Sequence, residues 1–230
     1  MQNQSTYDIP THDVIIISPG GVASSYLIDY LTSSANLKCN CHNDTDGLKH
    51  ASFKKIDKIN ETKCHKMIYL FNDPMLAIDS LYRRSWHVNN MCKLDDPYKI
   101  AHQSRDKAVF IKKVVEQNKD LFGIETQFDF FLKDPNLNKT VLFIDFDDII
   151  SQKQTIANFL NINPDLLNNL RIHNRHSFCD PTYPPEYTSI YSKLYAKMKA
   201  YNGLTNSCEH TNSGVHTNSH DNNTTPDTHP

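Results

Sequence analysis

Val14-Ile15-Ile16-Ile17-Ser18-Pro19-Gly20-Gly21-Val22-Ala23-Ser24-Ser25-Tyr26-Leu27 is the stretch that sets the fold class. Val14 to Ile17 are apolar and β-branched without alternation. Such a run reads as a strand buried on both faces, the pattern of a parallel sheet. Ser18, Pro19, Gly20 and Gly21 then stop the strand and turn the chain. From Val22 onward the period changes. Ala23, Leu27, Tyr30 and Leu31 recur at helical spacing, so a helix is expected from Val22 to Leu31. The stretch is a βα unit joined by a glycine-containing turn.

The same unit returns twice downstream. Met67 to Phe71 is a second buried strand, ended by Asn72 and Asp73. Asp73 is a natural N-cap, and Pro74 suits the first helical position because its missing N–H has no partner there anyway. The helix is expected to run to about Arg84. Val141 to Phe146 is the third strand. Asp147 and Asp148 follow it, where carboxylates suit exposed helix N–H groups. Ile156, Ala157, Phe159 and Leu160 then supply an amphipathic stripe. Residues 101–123 read as a surface helix, and residues 187–201 as a final amphipathic helix after Pro184 and Pro185. Phe128, Phe130, Phe131 and Leu132 read as a core helix or a ligand lid. Three strand-then-helix units predict an α/β fold, a three-layer α/β/α sandwich with a mostly parallel sheet. A further strand is needed, and residues 35–60 and 86–100 each read as an edge strand or as functional loops.

The chain has 230 residues, with Lys and Arg totalling 24 against 26 Asp and Glu, for a net charge of −2. This balance argues against general nucleic-acid binding, which wants a basic surplus. Residues 1–12 read as a flexible N-terminus, 13–203 as one α/β domain, and 204–230 as a disordered tail of Asn, Thr and His. That tail lacks the apolar area needed to offset the entropy of ordering. No basic-then-apolar leader and no run of about 18 apolar residues is present, so a cytoplasmic protein without a transmembrane segment is expected. The six cysteines are too scattered for a disulfide scaffold. Cys39, Cys41 and His42 with Cys64 and His65 match zinc spacing poorly, so no metal is expected.

In open parallel sheets, ligands bind beyond the C-terminal ends of the strands. The turn at Gly20 and Gly21 meets that condition. Small residues there let backbone N–H groups approach a phosphate or sulfate, and Ser24 and Ser25 add hydroxyl donors. The alternative is a tight turn whose glycines serve only the backbone. The Lys-Ser/Thr pair of a Walker A loop is missing, and so is Gly-x-Gly-x-x-Gly. Asn72, at the end of the second strand, and Ser80, two turns into the next helix, are placed to reach one phosphate beside the first turn. Arg83 and Arg84 end that helix, as anion ligands or as caps of its dipole.

These residues resemble the sulfotransferases, which share the P-loop nucleotide-binding architecture. Pro19-Gly20-Gly21-Val22-Ala23-Ser24-Ser25-Tyr26-Leu27 is similar to their phosphosulfate loop with one residue inserted. Asn72-Asp73-Pro74 with Ser80 is similar to their second motif, and Ser80 falls on the serine that binds the 3′-phosphate. Val141 to Ile149, followed by Ile156-Ala157-Asn158-Phe159-Leu160, is similar to their third. The order agrees across residues 13–161. The resemblance implies transfer of a sulfuryl group from 3′-phosphoadenosine 5′-phosphosulfate to a hydroxyl or amine of a small-molecule or glycan acceptor.

Two departures stand out. Neither Gly20 nor Gly21 supplies the basic residue of the family's loop, and Asn72 stands where the family has its 3′-phosphate arginine. Charged donors make hydrogen bonds roughly twice as strong as neutral ones, so both losses weaken the grip on a polyanion. Arg83, Arg171, Arg175 and Lys49 are the candidates to compensate. By the resemblance, the base that deprotonates the acceptor is sought at His50 or His42, with His87 as runner-up. A second reading is a catalytically inactive sulfotransferase-like fold that binds a nucleotide, an anion or a partner. A P-loop kinase is a third, disfavoured by the missing Gly-Lys-Ser/Thr.

Overall fold

In the computed structural model, which describes residues 11–94, 105–171 and 182–206, three strands form one parallel sheet in the order β1-β2-β3. β1 is Ile15–Ile17, β2 is Lys66–Phe71 and β3 is Thr140–Asp145. Ile16 lies opposite Ile68, and Ile68 opposite Leu142. Residues of both strand faces are buried, which is why these runs do not alternate.

The edge expected in residues 35–60 is at Cys39, which bridges in parallel to Val14 on the side of β1 away from β2. Asn40 extends the ladder with its side chain. Its Oδ1 accepts the Ile16 N–H at 2.8 Å, and its Nδ2 donates to the Ile16 carbonyl at 3.0 Å. A buried strand edge is thereby satisfied without a full strand. The other edge is closed by residues assigned from composition to the tail. Gly203 N–H donates to the Phe143 carbonyl at 2.8 Å, Phe143 N–H donates to the Leu204 carbonyl at 3.0 Å, and Thr205 bridges antiparallel to Leu142. Residues 204–206 therefore belong to the sheet edge. Residues 1–10 and 207–230 lie outside the described residues.

Helices cover both faces of the sheet. On one face, α1 (Ser24–Ser34) and α7 (Lys153–Leu160) bring Leu27, Ile28, Leu31, Ile156 and Ala157 onto Val14, Ile16, Ile68, Leu70, Leu142 and Ile144. The opposite face, with Ile17, Tyr69 and Phe143, is covered by α3 (Pro74–Arg83), α4 (His87–Leu94), α5 (Lys107–Gln117), α6 (Ile124–Lys133) and α8 (Pro185–Lys199). A short α2 (Ile56–Glu61) precedes β2. The Asp73 cap is formed as its residue type predicts, with its side chain accepting the Met75 N–H at 2.8 Å. After β3 the capping carboxylate is Asp145, which accepts the Asp147 N–H at 2.9 Å, rather than Asp147 or Asp148.

The aromatic run of α6 is core and not a lid. Phe128 and Phe131 are fully buried, each with its ring centroid 5.7 Å from that of Tyr69. One polar pair is sealed among them. The Tyr69 hydroxyl donates to Gln127 Oε1 at 3.0 Å, and Gln127 Nε2 donates to the Ala51 carbonyl at 2.6 Å. Tyr69→Phe leaves that amide oxygen unpaired and is expected to cost about 1–3 kcal/mol. A urea melt checks this, as a lowered midpoint at unchanged slope.

Candidate functional site

The chain leaves β1 through α1 and reaches Cys39 on one side of β1, then crosses to β2 on the other. The C-terminal end of β1 is thus the point where the winding reverses, and such points open a crevice in α/β sheets. The Ser18–Ala23 turn occupies it. Gly20, Gly21 and Ala23 all take left-handed backbone angles, with φ of 95°, 75° and 59°. Ala23 is the N-cap residue of α1, so a residue with a Cβ is held there at a cost of about 1–2 kcal/mol.

Both glycines answer to packing. A Cβ on Gly20 would stand 1.8 Å from Asn90 Nδ2, and one on Gly21 would stand 2.4 Å from the Ala77 carbonyl oxygen. α3 and α4 therefore press directly on the turn. Asn90, a residue with no sequence signal of its own, donates from Nδ2 to the Pro19 carbonyl at 3.1 Å. Beneath the turn, the buried Ser18 hydroxyl donates to Ser24 Oγ at 3.0 Å and accepts the Gly20 N–H at 3.3 Å.

A buried cation reaches the first turn of α1 from a different segment. Lys49 is 7% exposed, and its Nζ donates to Ser25 Oγ at 2.9 Å, in the first turn of α1, and to the His42 carbonyl. The Lys49 carbonyl accepts the Ser18 N–H at 2.9 Å, which ties this segment to the end of β1. Burial pulls the Lys49 ammonium below its ordinary pKa, with Asp44, Asp46 and Asp29 acting the other way and Lys93 adding to the depression. Asp44, which accepts the Lys49 N–H at 2.9 Å, also pairs with Lys93 of α4 at 2.5 Å. The lysine segment and α4 thus clamp the turn from two sides.

The three histidines separate clearly. His50 Nδ1 sits 2.9 Å from the Ser18 carbonyl and 3.4 Å from its hydroxyl. A carbonyl only accepts, so Nδ1 carries the proton. Burial lowers the His50 pKa to about 4, and the ring is neutral near pH 7. His42 is exposed, with Nδ1 at 2.8 Å from Asp29 Oδ1, one helical turn beyond Ser25. That carboxylate accepts from Nδ1–H and orients the ring. His87 is not at the turn. It stacks on Tyr82 at 3.9 Å between centroids, and burial lowers its pKa.

Asn72 is buried and committed. Its Oδ1 accepts the Asp73 N–H at 2.6 Å, and its Nδ2 donates to Asp147 Oδ1 at 3.1 Å. Ser80 lies one turn along α3 from Ala77, against which Gly21 packs, and its carbonyl accepts Arg84 Nε at 3.0 Å. Arg83 is exposed at the end of α3. Arg171 N–H donates to the Tyr26 hydroxyl at 3.1 Å, which brings that exposed residue to the first turn of α1. Arg175 lies outside the described residues. Among the described residues no three His, Cys, Asp or Glu side chains are grouped to hold a metal ion, and Cys39, Cys41, Cys64 and Cys92 are not in disulfides.

The fold is therefore mixed α/β, with a parallel sheet flanked by helices and a glycine turn at its switch point. No protein-family model matches the chain, and no curated protein or solved structure matches it either. No helix among the described residues is long and apolar enough to cross a membrane.

Proposed function

We propose that this chain is a divergent sulfotransferase-like protein of P-loop architecture that moves a sulfuryl group to a hydroxyl or amine of a small-molecule or glycan acceptor. The observation that carries the reading is the Lys49 ammonium, buried against Ser25 at the first turn of α1. A buried cation beside helix N–H groups is the environment an oxyanion seeks. Lys49 takes the place of the cation absent from Gly20 and Gly21, and Ser24, Ser25 and the α1 amides complete one oxyanion site.

3′-Phosphoadenosine 5′-phosphosulfate, when bound, supplies the sulfuryl group. Toward it, Lys49 and Ser25 hold one charged end, and Ser80 with Arg83 offers donors for a second phosphate on the α3 side. Toward the acceptor, His42 Nε2 takes the hydroxyl or amine proton, with Asp29 fixing the ring and stabilising the imidazolium that forms. His50 is the poorer base, because its low pKa reduces its pull on a proton.

A second reading, binding without transfer, is favoured by two specific contacts. The Asn90 amide packs over Gly20, and Asn72 is tied to Asp147 where the family places a cation. Calorimetric titration with 3′-phosphoadenosine 5′-phosphate tests the shared part. Binding in the micromolar range is expected, weakened by Ser25→Ala and Ser80→Ala, and no binding at millimolar ligand overturns transfer and leaves only binding of another anion or a partner. His42→Gln separates them. For transfer, turnover falls about 10²-fold or more with bisphosphate affinity unchanged. A wild-type chain that binds the bisphosphate and sulfates no acceptor in a broad panel supports binding alone.

A further inference from the structure

We infer that the outer end of α3 is a platform for a nucleobase, with Trp86 stacking the ring and Arg83 and Arg84 taking a phosphate of the same ligand. Trp86 is the chain's one tryptophan, and at 56% it is the most exposed large apolar side chain among the described residues. Its backbone is nevertheless firmly held. Ser85 turns the chain with φ of 58°, Trp86 N–H donates to the Leu81 carbonyl at 2.9 Å, and the Trp86 carbonyl accepts the Asn90 N–H at 3.0 Å.

The Arg84 guanidinium lies 4.6 Å from the Trp86 ring centroid, and its Nε is fixed on the Ser80 carbonyl at 3.0 Å. Arginine therefore backs the indole, which keeps more than half of its surface exposed. Among the described residues no carboxylate pairs with Arg83 or Arg84, although acidic residues outnumber basic ones in the chain. Two adjacent guanidinium groups call for an oxyanion, and an open indole calls for a flat π ring. A nucleoside phosphate carries both. A nucleic-acid strand carries both as well, but the net charge of −2 disfavours a polyanion.

The platform adjoins the β1–α1 turn. Trp86 stands one turn of α4, about 5.4 Å along the axis, before Asn90, whose amide contacts Pro19. The inference rests on the preceding reading only in placing the ligand's second anion at Lys49.

Trp86 is its own probe. The full chain is titrated with adenosine, adenosine 5′-monophosphate, 3′-phosphoadenosine 5′-phosphate, inorganic phosphate and oligo(dA), and tryptophan emission is followed. Saturable quenching by the two nucleotides is expected, and none by inorganic phosphate. Arg83→Ala and Arg84→Ala are each expected to weaken the monophosphate about tenfold, and adenosine much less. Lys49→Met should weaken the bisphosphate and spare the monophosphate. Calorimetric binding of the bisphosphate without quenching overturns the platform and leaves the Lys49 site standing. Quenching by the monophosphate with a bisphosphate affinity indifferent to Lys49→Met does the reverse. Oligo(dA) that binds more tightly with length overturns the small-ligand assignment.

Discussion

Lys49→Met is expected to weaken binding of 3′-phosphoadenosine 5′-phosphate about 10- to 100-fold while leaving the fold as stable or more so. A hydrogen bond from a charged donor contributes about 1.5–3 kcal/mol, and each 1.4 kcal/mol is tenfold in affinity. Methionine keeps the buried stem and removes a charge that the unliganded protein holds at a desolvation cost. The pH dependence has a definite sign. Because the folded pKa lies below the unfolded one, the unfolded chain binds more protons between the two values. The lysine's contribution to stability is therefore intact above the unfolded pKa and is lost as pH falls toward the folded one. Lys49→Met removes that slope. An anion favours the ammonium, so affinity falls as pH rises through the lowered pKa, and binding takes up protons in that window. Calorimetry in buffers of different ionisation enthalpy reads the uptake, and its absence in the wild type would remove Lys49 from the site.

The second large effect separates the two glycines. Gly21→Ala is expected to cost about 2–5 kcal/mol, the sum of a left-handed alanine and overpacking, because its Cβ meets the Ala77 carbonyl at 2.4 Å. That oxygen belongs to the backbone of α3 and has nowhere to go. Gly20→Ala carries the same backbone penalty, but its Cβ meets the end of a side chain, Asn90 Nδ2. Adding Asn90→Ala should therefore recover part of the Gly20→Ala loss and none of the Gly21→Ala loss. Urea midpoints of the three single and two double variants give the coupling. Equal recovery in both pairs would show that α4 does not press on the turn.

Much of the fold is legible locally. The unbroken apolar runs at Ile15, Met67 and Val141 encode buried parallel strands without reference to anything else in the chain. The stripe at Leu27 and Leu31 and the Asp73-Pro74 cap encode where helices begin and which face they bury. Edges are harder, because an edge needs only a few hydrogen bonds. Asn40 supplies two of them from a side chain, and residues 203–206 supply theirs where the domain runs into a segment, from 204 on, whose polar composition reads as tail. Phe128 and Phe131 look alike as core or lid until Tyr69 is placed beneath them.

The candidate site divides along the same line. Gly20, Gly21, Ser24 and Ser25 are contiguous, and their position after a buried strand marks them from residue order alone. The contacts of Lys49 with Ser25, of His50 with Ser18 and of Asn90 with Pro19 are not local. Lys49 meets Ser25 across 24 residues, and Asn90 meets Pro19 across 71. Residue order by itself determined the three βα units and the turn between the first strand and helix, because hydrophobic period and capping chemistry act within a few residues. Only the tertiary structure decided that Lys49 meets Ser25 and His50 meets Ser18 at that turn, because burial and hydrogen-bond geometry arise when distant segments pack on one end of the sheet.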